Sequence, residues 1–221
     1  MREAWHLKPR KVCVLVDNNS WIIPYAKKLV TKINKEGDKA KFIRKHEDVN
    51  KNDICFMLGC TKIMRGEILK KCYKSLIVHE SSLPMGKGFS PLSWQIIEGK
   101  KKIPVCLLEA SKKVDSGDII YKEFIHFQGH ELNPELRHKQ GNVSIKLCLK
   151  FLRSKFLPKG FSQKGKESFY KRRTPDDSEI DPNKSIKSQF NLLRIVDNVN
   201  YPAFFELNGV RYNLTISKSK K

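Results

Sequence analysis

Residues 78–121 read VHESSLPMGKGFSPLSWQIIEGKKKIPVCLLEASKKVDSGDIIY, and the reading of this stretch decides the fold. Its first residues close a short apolar run, Ser75–His79, that reads as a buried strand. A Pro/Gly-rich loop follows. Ser90–Glu98 (SPLSWQIIE) then has helical spacing, with Ser90 placed to cap and Pro91 at the first helical position, where its missing N–H costs no hydrogen bond. Ile103–Glu109 and Asp118–Phe127 read as strands on either side of a tight acidic turn that holds Asp115.

The same alternation continues toward the N-terminus. Lys11–Val16 (KVCVLV) is a continuously apolar strand, and Trp21–Glu36 carries Ile22, Tyr25, Ala26, Leu29, Val30 and Ile33 at helical spacing. Gly37 and Asp38 end that helix. Ala40–Ile43 and Asp53–Leu58 read as strands, and Ile63–Lys71 as a helix. Toward the C-terminus, Asn142–Phe156 is amphipathic and helical. Short buried strands alternating with helices imply an α/β class with a mostly parallel, Rossmann-like sheet flanked by helices, whose ligands sit at the carboxyl ends of the strands.

After Phe156 the character changes. LPKGFSQKGKES reads as a flexible connector, FYKRRTPDDSEIDPNKS as polar turns, and FNLLRIVDNVNYPAFFELNGVRYNLTI as a short helix and a hairpin turning at Asn208–Gly209. The expected division is a main domain over 1–157 and a small C-terminal appendage over 158–221.

Composition limits the rest. With 221 residues, 39% apolar and 12 Phe, the chain can build one good core. No apolar run reaches bilayer length and MREAWHLKPRKV has no signal core, so a soluble, cytoplasmic protein without a membrane partner is expected. Cys13, Cys55, Cys60, Cys72, Cys106 and Cys148 are dispersed, without a CxxC pair, and read as free thiols rather than disulfides or a zinc site. His126 and His130 are separated by what reads as a strand end and loop, so no metal is expected there. The net charge of +21 favours polyanions without choosing among them, and no recognition helix or aromatic RNA-binding strand accompanies it.

The chemistry centres on His79 and Asp115. Two strands would deliver an imidazole and a carboxylate to one sheet edge, where the imidazole takes a proton from an attacking amine and the carboxylate orients and charges it. VHESSLPMGKG resembles the His-x-Ser, Leu-Pro, Gly-rich pattern of folate-dependent formyltransferases, and KKVDSGDIIY resembles their Asp-x-Gly-Asp turn. The 36-residue separation between His79 and Asp115 matches that family too.

The resemblance implies that His79 and Asp115 are the catalytic pair and that N10-formyltetrahydrofolate is the donor. It also implies that Ser81, Ser82, Leu83, Pro84, Met85, Gly86, Lys87, Gly88 and Val114 hold the pterin. One position departs from the family, which commonly has Asn two residues before the histidine to stabilise the oxyanion; here it is Ile77, which has no donor. Losing one such donor costs about two to three orders of magnitude in rate. Protonated His79, a backbone N–H or a water takes the role, or the enzyme is slow or inactive.

For the acceptor, Asn18, Asn19 and Ser20 follow the first strand where backbone N–H groups suit a phosphate, or where they simply cap a helix. YKRRTPDDSEID and NLLRIVDNVNYPAFFELNG resemble the C-terminal part of bacterial nucleotide-sugar N-formyltransferases. That resemblance places Arg172 and Arg173 on a diphosphate, or on the PDDSEID loop, and has Arg194, Tyr201 and Phe205 frame a nucleotide. The implied acceptor is a nucleotide-linked amino sugar, of the kind exemplified by a UDP-4-amino-4,6-dideoxy-hexosamine on a nonulosonic or pseudaminic acid route. Three other readings stand beside it. A formyltransferase acting on initiator tRNA shares the core but usually adds a C-terminal barrel that the residues after Phe156 do not accommodate. A basic, non-catalytic binding module on the same fold is motivated by Ile77. A purine-pathway enzyme leaves RRTPDDS and YPAFF without a purpose. Monomer and homodimer are both compatible with the sequence.

Overall fold

In the computed structural model, residues 5, 9–51 and 53–219 are described. The strands are β1 (Lys11–Leu15), β2 (Lys39–Ile43), β3 (Ile54–Met57), β4 (Lys74–His79), β5 (Lys87–Gly88), β6 (Lys102–Glu109), β7 (Ile119–His126), β8 (Phe169–Tyr170), β9 (Ala203–Leu207) and β10 (Val210–Leu214). The helices are α1 (Ile23–Lys35), α2 (Gly66–Lys71), α3 (Pro91–Ile97), α4 (Asn133–Leu152) and α5 (Ile186–Ile195). The main sheet has six strands in the order β2-β1-β3-β4-β6-β7. β2, β1, β3 and β4 pair in parallel, whereas β6 runs antiparallel to both of its neighbours.

The strands are apolar on both sides because helices cover both faces. On one face Val12, Val14, Phe56, Leu76 and Val78 pack with Ala26, Leu29 and Ile33 of α1, Leu92 and Ile96 of α3, and Ile145 and Leu149 of α4. On the other, Cys13, Leu15, Cys55 and Met57 meet Val49, Met64 and Ile68. Each fully buried aliphatic or Phe side chain contributes about 1.5–3 kcal/mol. All six cysteines are free, with Cys13, Cys55, Cys106 and Cys148 buried. No helix among the described residues is long and apolar enough to cross a membrane.

Three local expectations need correction. The α4 helix begins at Asn133, ahead of the expected Asn142, because Pro134 opens its first turn and Glu135 accepts from the Leu132 N–H at 2.9 Å. Gly141, ahead of the expected start, lies inside the helix and lets it approach Tyr25, whose ring a Cβ there would overlap. Ser90 precedes α3 but in a left-handed conformation, φ 48°, and its side chain makes no cap bond; only Pro91 is as expected. The helix expected over Ile63–Lys71 is shorter, starting at Gly66.

The C-terminal hairpin turns where expected, with Asn208 at φ 51° and Gly209 at φ 76°, the two positive values that a tight primed turn requires. It packs with α5 in a small cluster of Ile180, Leu193, Val196 and Ala203. The stretch expected to be a flexible connector is instead an ordered strap. Phe161 exchanges both backbone hydrogen bonds with Ile119, at 2.9 and 3.0 Å, and Phe169–Tyr170 pairs as β8 with β5 in the His79 loop.

Candidate active site

His79 ends β4 at the carboxyl edge of the parallel strands, buried, opposite Cys106 of β6. Asp115 does not arrive as the continuation of a parallel strand. The register sets Glu109, the end of β6, opposite Leu76, so β6 finishes toward the start of β4. The loop 110–118 must fold back to reach His79. Two features make that return possible: Asp115 adopts φ 47°, and Gly117 lies so close to the chain that a Cβ would stand 1.8 Å from the Glu109 carbonyl. On the strap, Gln163 Nε2 donates to the carbonyls of Asp115 and Gly117 at 2.7 and 2.8 Å and fixes the loop.

The two side chains meet. His79 Nδ1 lies 3.5 Å from Asp115 Oδ2, and the same carboxylate oxygen accepts from the Gly88 N–H at 2.9 Å. On the other side of the ring, Nε2 is 2.8 Å from the Gly86 carbonyl. A carbonyl only accepts, so Nε2 carries the hydrogen and Nδ1 is the nitrogen left to take a proton, beside a carboxylate that stabilises the resulting charge. Glu80, the next residue, is buried, with its side chain bonded to Gln140. Burial pushes its carboxyl up, and its carbonyl accepts from Gln95 Nε2 at 2.5 Å.

The residues assigned to the pterin occupy one loop but differ in exposure. Leu83 is buried against Cys106, Leu108 and Ile119, and Ile77 packs at the edge of that cluster with no polar group to offer. Ser82 Oγ accepts from Lys122 Nζ at 3.2 Å, and the Ser81 hydroxyl is buried without a partner. Pro84 is buried, whereas Met85 and Val114 are exposed at 55% and 38%. Gly86 and Gly88, at φ 73° and 94°, lie under Tyr170 of the strap. Lys87 is 1% exposed and its amine is committed to protein groups. An orphaned buried hydroxyl beside His79, together with exposed apolar side chains on the loops after β4 and β6, fits a flat heteroaromatic group such as a pterin.

The residues assigned to the acceptor separate into two groups. Asn18, Asn19 and Ser20 lie after β1 at the carboxyl edge. Asn18 donates to Gly59 O at 2.7 Å, and Arg44 donates to Asn19 Oδ1 at 2.9 Å. The helix cap is at Ile22, so Ser20 does not serve that purpose. Asp17 anchors this corner. Burial raises its carboxyl, but hydrogen bonds from the Thr61 backbone, His46, Asn18 and the Lys62 backbone outweigh that and lower it to about 2. In the C-terminal unit, Arg172 is exposed over Phe89. Arg173 orders the PDDS loop, donating to Asp177 O at 2.7 Å. Arg194 corrects the expectation of a nucleotide contact: it is 3% exposed and bound to the Glu131 carbonyl at 2.9 Å and to its carboxylate at 3.3 Å. Tyr201 exchanges backbone bonds with Asp197, and the Phe205 ring stacks on Tyr212 at 5.3 Å.

The sequence reading missed Gln163, Ser168 and Tyr170 of the strap, and Arg44 and Lys62 on the loops around Asn19. The strap's sequence signals were its aromatics, Phe161, Phe169 and Tyr170, set in a mostly polar run. Among the described residues, no three His, Cys, Asp or Glu side chains gather to hold a metal ion.

Comparison with known proteins agrees with this geometry. Residues 12–147 match the formyl transferase family model. The bifunctional polymyxin resistance protein ArnA of Wigglesworthia glossinidia brevipalpis is 32% identical over 153 residues, 65% of this chain. The chain spans 23% of the length of that curated relative. Among solved structures, a methionyl-tRNA formyltransferase from Clostridium thermocellum superposes with a TM-score of 0.77 at 22% identity, covering 95% of this chain and 94% of the other. A sugar N-formyltransferase from a Shewanella species does so with a TM-score of 0.69 at 12% identity, covering 96% and 99%. The chain, with His79 and Asp115 meeting within the matched segment, belongs to the formyl transferase family.

Proposed function

We propose that this protein transfers a formyl group from N10-formyltetrahydrofolate to the amine of a nucleotide-linked amino sugar. The observation that carries the transfer chemistry is the His79–Asp115 pair, with Nε2 held by the Gly86 carbonyl and Nδ1 turned to the carboxylate. When bound, the folate supplies the formyl carbon. Ser81, Ser82, Met85 and Val114 would hold its pterin. His79 Nδ1 accepts the proton of the attacking amine, and Asp115 Oδ2, oriented by the Gly88 N–H, offsets the imidazolium charge. Ile77 leaves the oxyanion to another donor.

The sugar nucleotide is supported by the RRTPDDS and YPAFF segments and by the corner after β1. There Arg44, bound to Asn19, and Lys62, whose backbone bonds Asp17, are exposed cations at the strand ends where α/β folds take phosphates. A UDP-linked 4-amino-4,6-dideoxy-hexosamine is the acceptor of choice within that class. Charged initiator tRNA is the second reading, favoured by the net charge of +21.

The test is formyl transfer to UDP-, dTDP- and GDP-linked amino sugars and to charged initiator tRNA, with His79→Gln as control. Turnover on one sugar nucleotide, lowered about 10²- to 10⁴-fold by the substitution, is expected. Transfer to the tRNA alone selects the second reading. Turnover that survives His79→Gln removes His79 from the chemistry.

A further inference from the structure

We propose that Lys87 is a positioning residue whose buried ammonium joins the His79 loop, the Asp115 loop and the strap, holding the two catalytic side chains in place. The inference rests on the formyl-transfer reading but not on the choice of acceptor. A lysine ammonium has three donors and no acceptor. Here one reaches Ser116 Oγ at 2.7 Å and another Glu167 Oε1 at 2.6 Å, while the group stands 5.9 Å from the centre of the Phe169 ring. Ser116 is next to Asp115 and passes its own hydrogen to Val114 O at 2.9 Å, so the ammonium fixes the turn that carries the carboxylate. Glu167 is the exposed member of its pair, at 56% of the side chain against 1% for Lys87. The acid therefore comes from the strap to neutralise a charge that is otherwise buried alone, which would be costly.

The backbone around Lys87 shows what is being held. Gly86, just before it, accepts from His79 through its carbonyl and donates to Ser168 Oγ at 2.9 Å. Lys87 N donates to Ser168 O at 2.9 Å. Gly88, just after it, donates to Asp115. Three consecutive residues thus touch His79, Asp115 and the strap, and the middle side chain ties the same three segments a second time. Two of its three donors are committed to protein groups and the side chain is 1% exposed, which separates Lys87 from the exposed residues of its loop.

The experiment is amide hydrogen exchange on the full chain for wild type, Lys87→Met, Lys87→Arg and Glu167→Gln, with tetrahydrofolate affinity measured in parallel. Lys87→Met is expected to speed exchange about tenfold or more at 86–88, 114–118 and 165–170 while the main sheet stays protected, with any loss of tetrahydrofolate affinity accompanied by that loosening. Glu167→Gln repeats the pattern more weakly, and it serves if Lys87→Met does not fold. Lys87→Arg recovers part of the protection. With an acceptor in hand, the loss appears in kcat and not in KM. Unchanged exchange in these segments overturns the proposal. So does a large loss of tetrahydrofolate affinity with the loops still protected, since Lys87 would then contact the donor itself. An inactive acceptor panel does not affect the exchange result, so the two failures are distinguishable.

Discussion

At the scale of the residue, His79 shows how a backbone contact selects chemistry. Its ring has two nitrogens of equal standing until the Gly86 carbonyl claims one, and the basic site is then the nitrogen that faces Asp115. Asp17 is a second case, structural rather than chemical. It accepts from Thr61 N at 2.8 Å, Lys62 N at 2.9 Å and His46 Nε2 at 3.0 Å, and so pins the loop after β3 to the end of β1. Replacing it by Asn removes charge-assisted bonds, and a loss of about 2 kcal/mol at neutral pH is expected. The folded carboxyl lies near 2, below its ordinary 3.8, so its contribution is complete above 3.8 and fades as pH falls toward 2. Urea unfolding of Asp17→Asn and wild type should differ at pH 7 and converge near pH 2; a difference independent of pH contradicts this account of Asp17. His79 and Asp115 were singled out because VHESSLPMGKG and KKVDSGDIIY resemble a family pattern, and their side chains do stand 3.5 Å apart. The route of Asp115 was not legible in the sequence, because strand direction is a long-range property: the antiparallel β6 forces a fold-back that Gly117 permits and no local pattern announces.

At the scale of the element, periodicity reported what it physically encodes. Buried strands such as KVCVLV and ICFM are apolar throughout because helices cover both faces of the sheet, and they were read correctly. Misreadings arose where packing overrules local punctuation. The α4 helix was read from Asn142, yet it starts at Asn133 and runs through Gly141, which lies against Tyr25. The strap has no apolar period, since it is held by hydrogen bonds to turns that lie far away in sequence, such as Gln163 to the carbonyl of Asp115. Arg194 belongs at this scale as well. It joins α5 to the residues before α4 through Glu131, whose carboxyl burial pushes up but bonds from Lys139 and from the backbone of Gln128, Glu131 and Gly129 bring down to about 2. Arg194→Met removes a buried charged donor, although Glu131 keeps Lys139 and the Gln128 and Gly129 N–H groups, and is expected to cost about 1.5–3 kcal/mol, with catalysis per folded molecule unchanged. Thermal melting and kinetics together decide the point. A normal melt with a raised KM for the sugar nucleotide would return Arg194 to the substrate.

At the scale of the whole molecule, the chain joins the buried His79–Asp115 pair to a strongly basic sequence, net charge +21. Many surface lysines are paired locally, as Lys146 and Lys150 are with Glu123, whereas Lys27, Lys28, Lys32 and Lys35 line the exposed side of α1. A net charge of +21 acts on diffusing anions through a field that salt shortens to about 10 Å at 0.1 M. The KM for a diphosphate-bearing acceptor is therefore expected to rise several-fold between about 0.05 and 0.2 M salt with kcat unchanged, and salt titration of initial rates checks it. A fall of about 10³-fold or more in kcat/KM over that range belongs to a nucleic-acid acceptor, which releases many counterions at once. The central claim is tested most directly in one vessel, with isotopically labelled N10-formyltetrahydrofolate, the sugar-nucleotide panel and charged initiator tRNA competing, and with products read by mass. Label entering a single sugar nucleotide, and lost with His79→Gln, is the predicted result. Label entering only the tRNA, or entering any acceptor equally with and without His79, would contradict it.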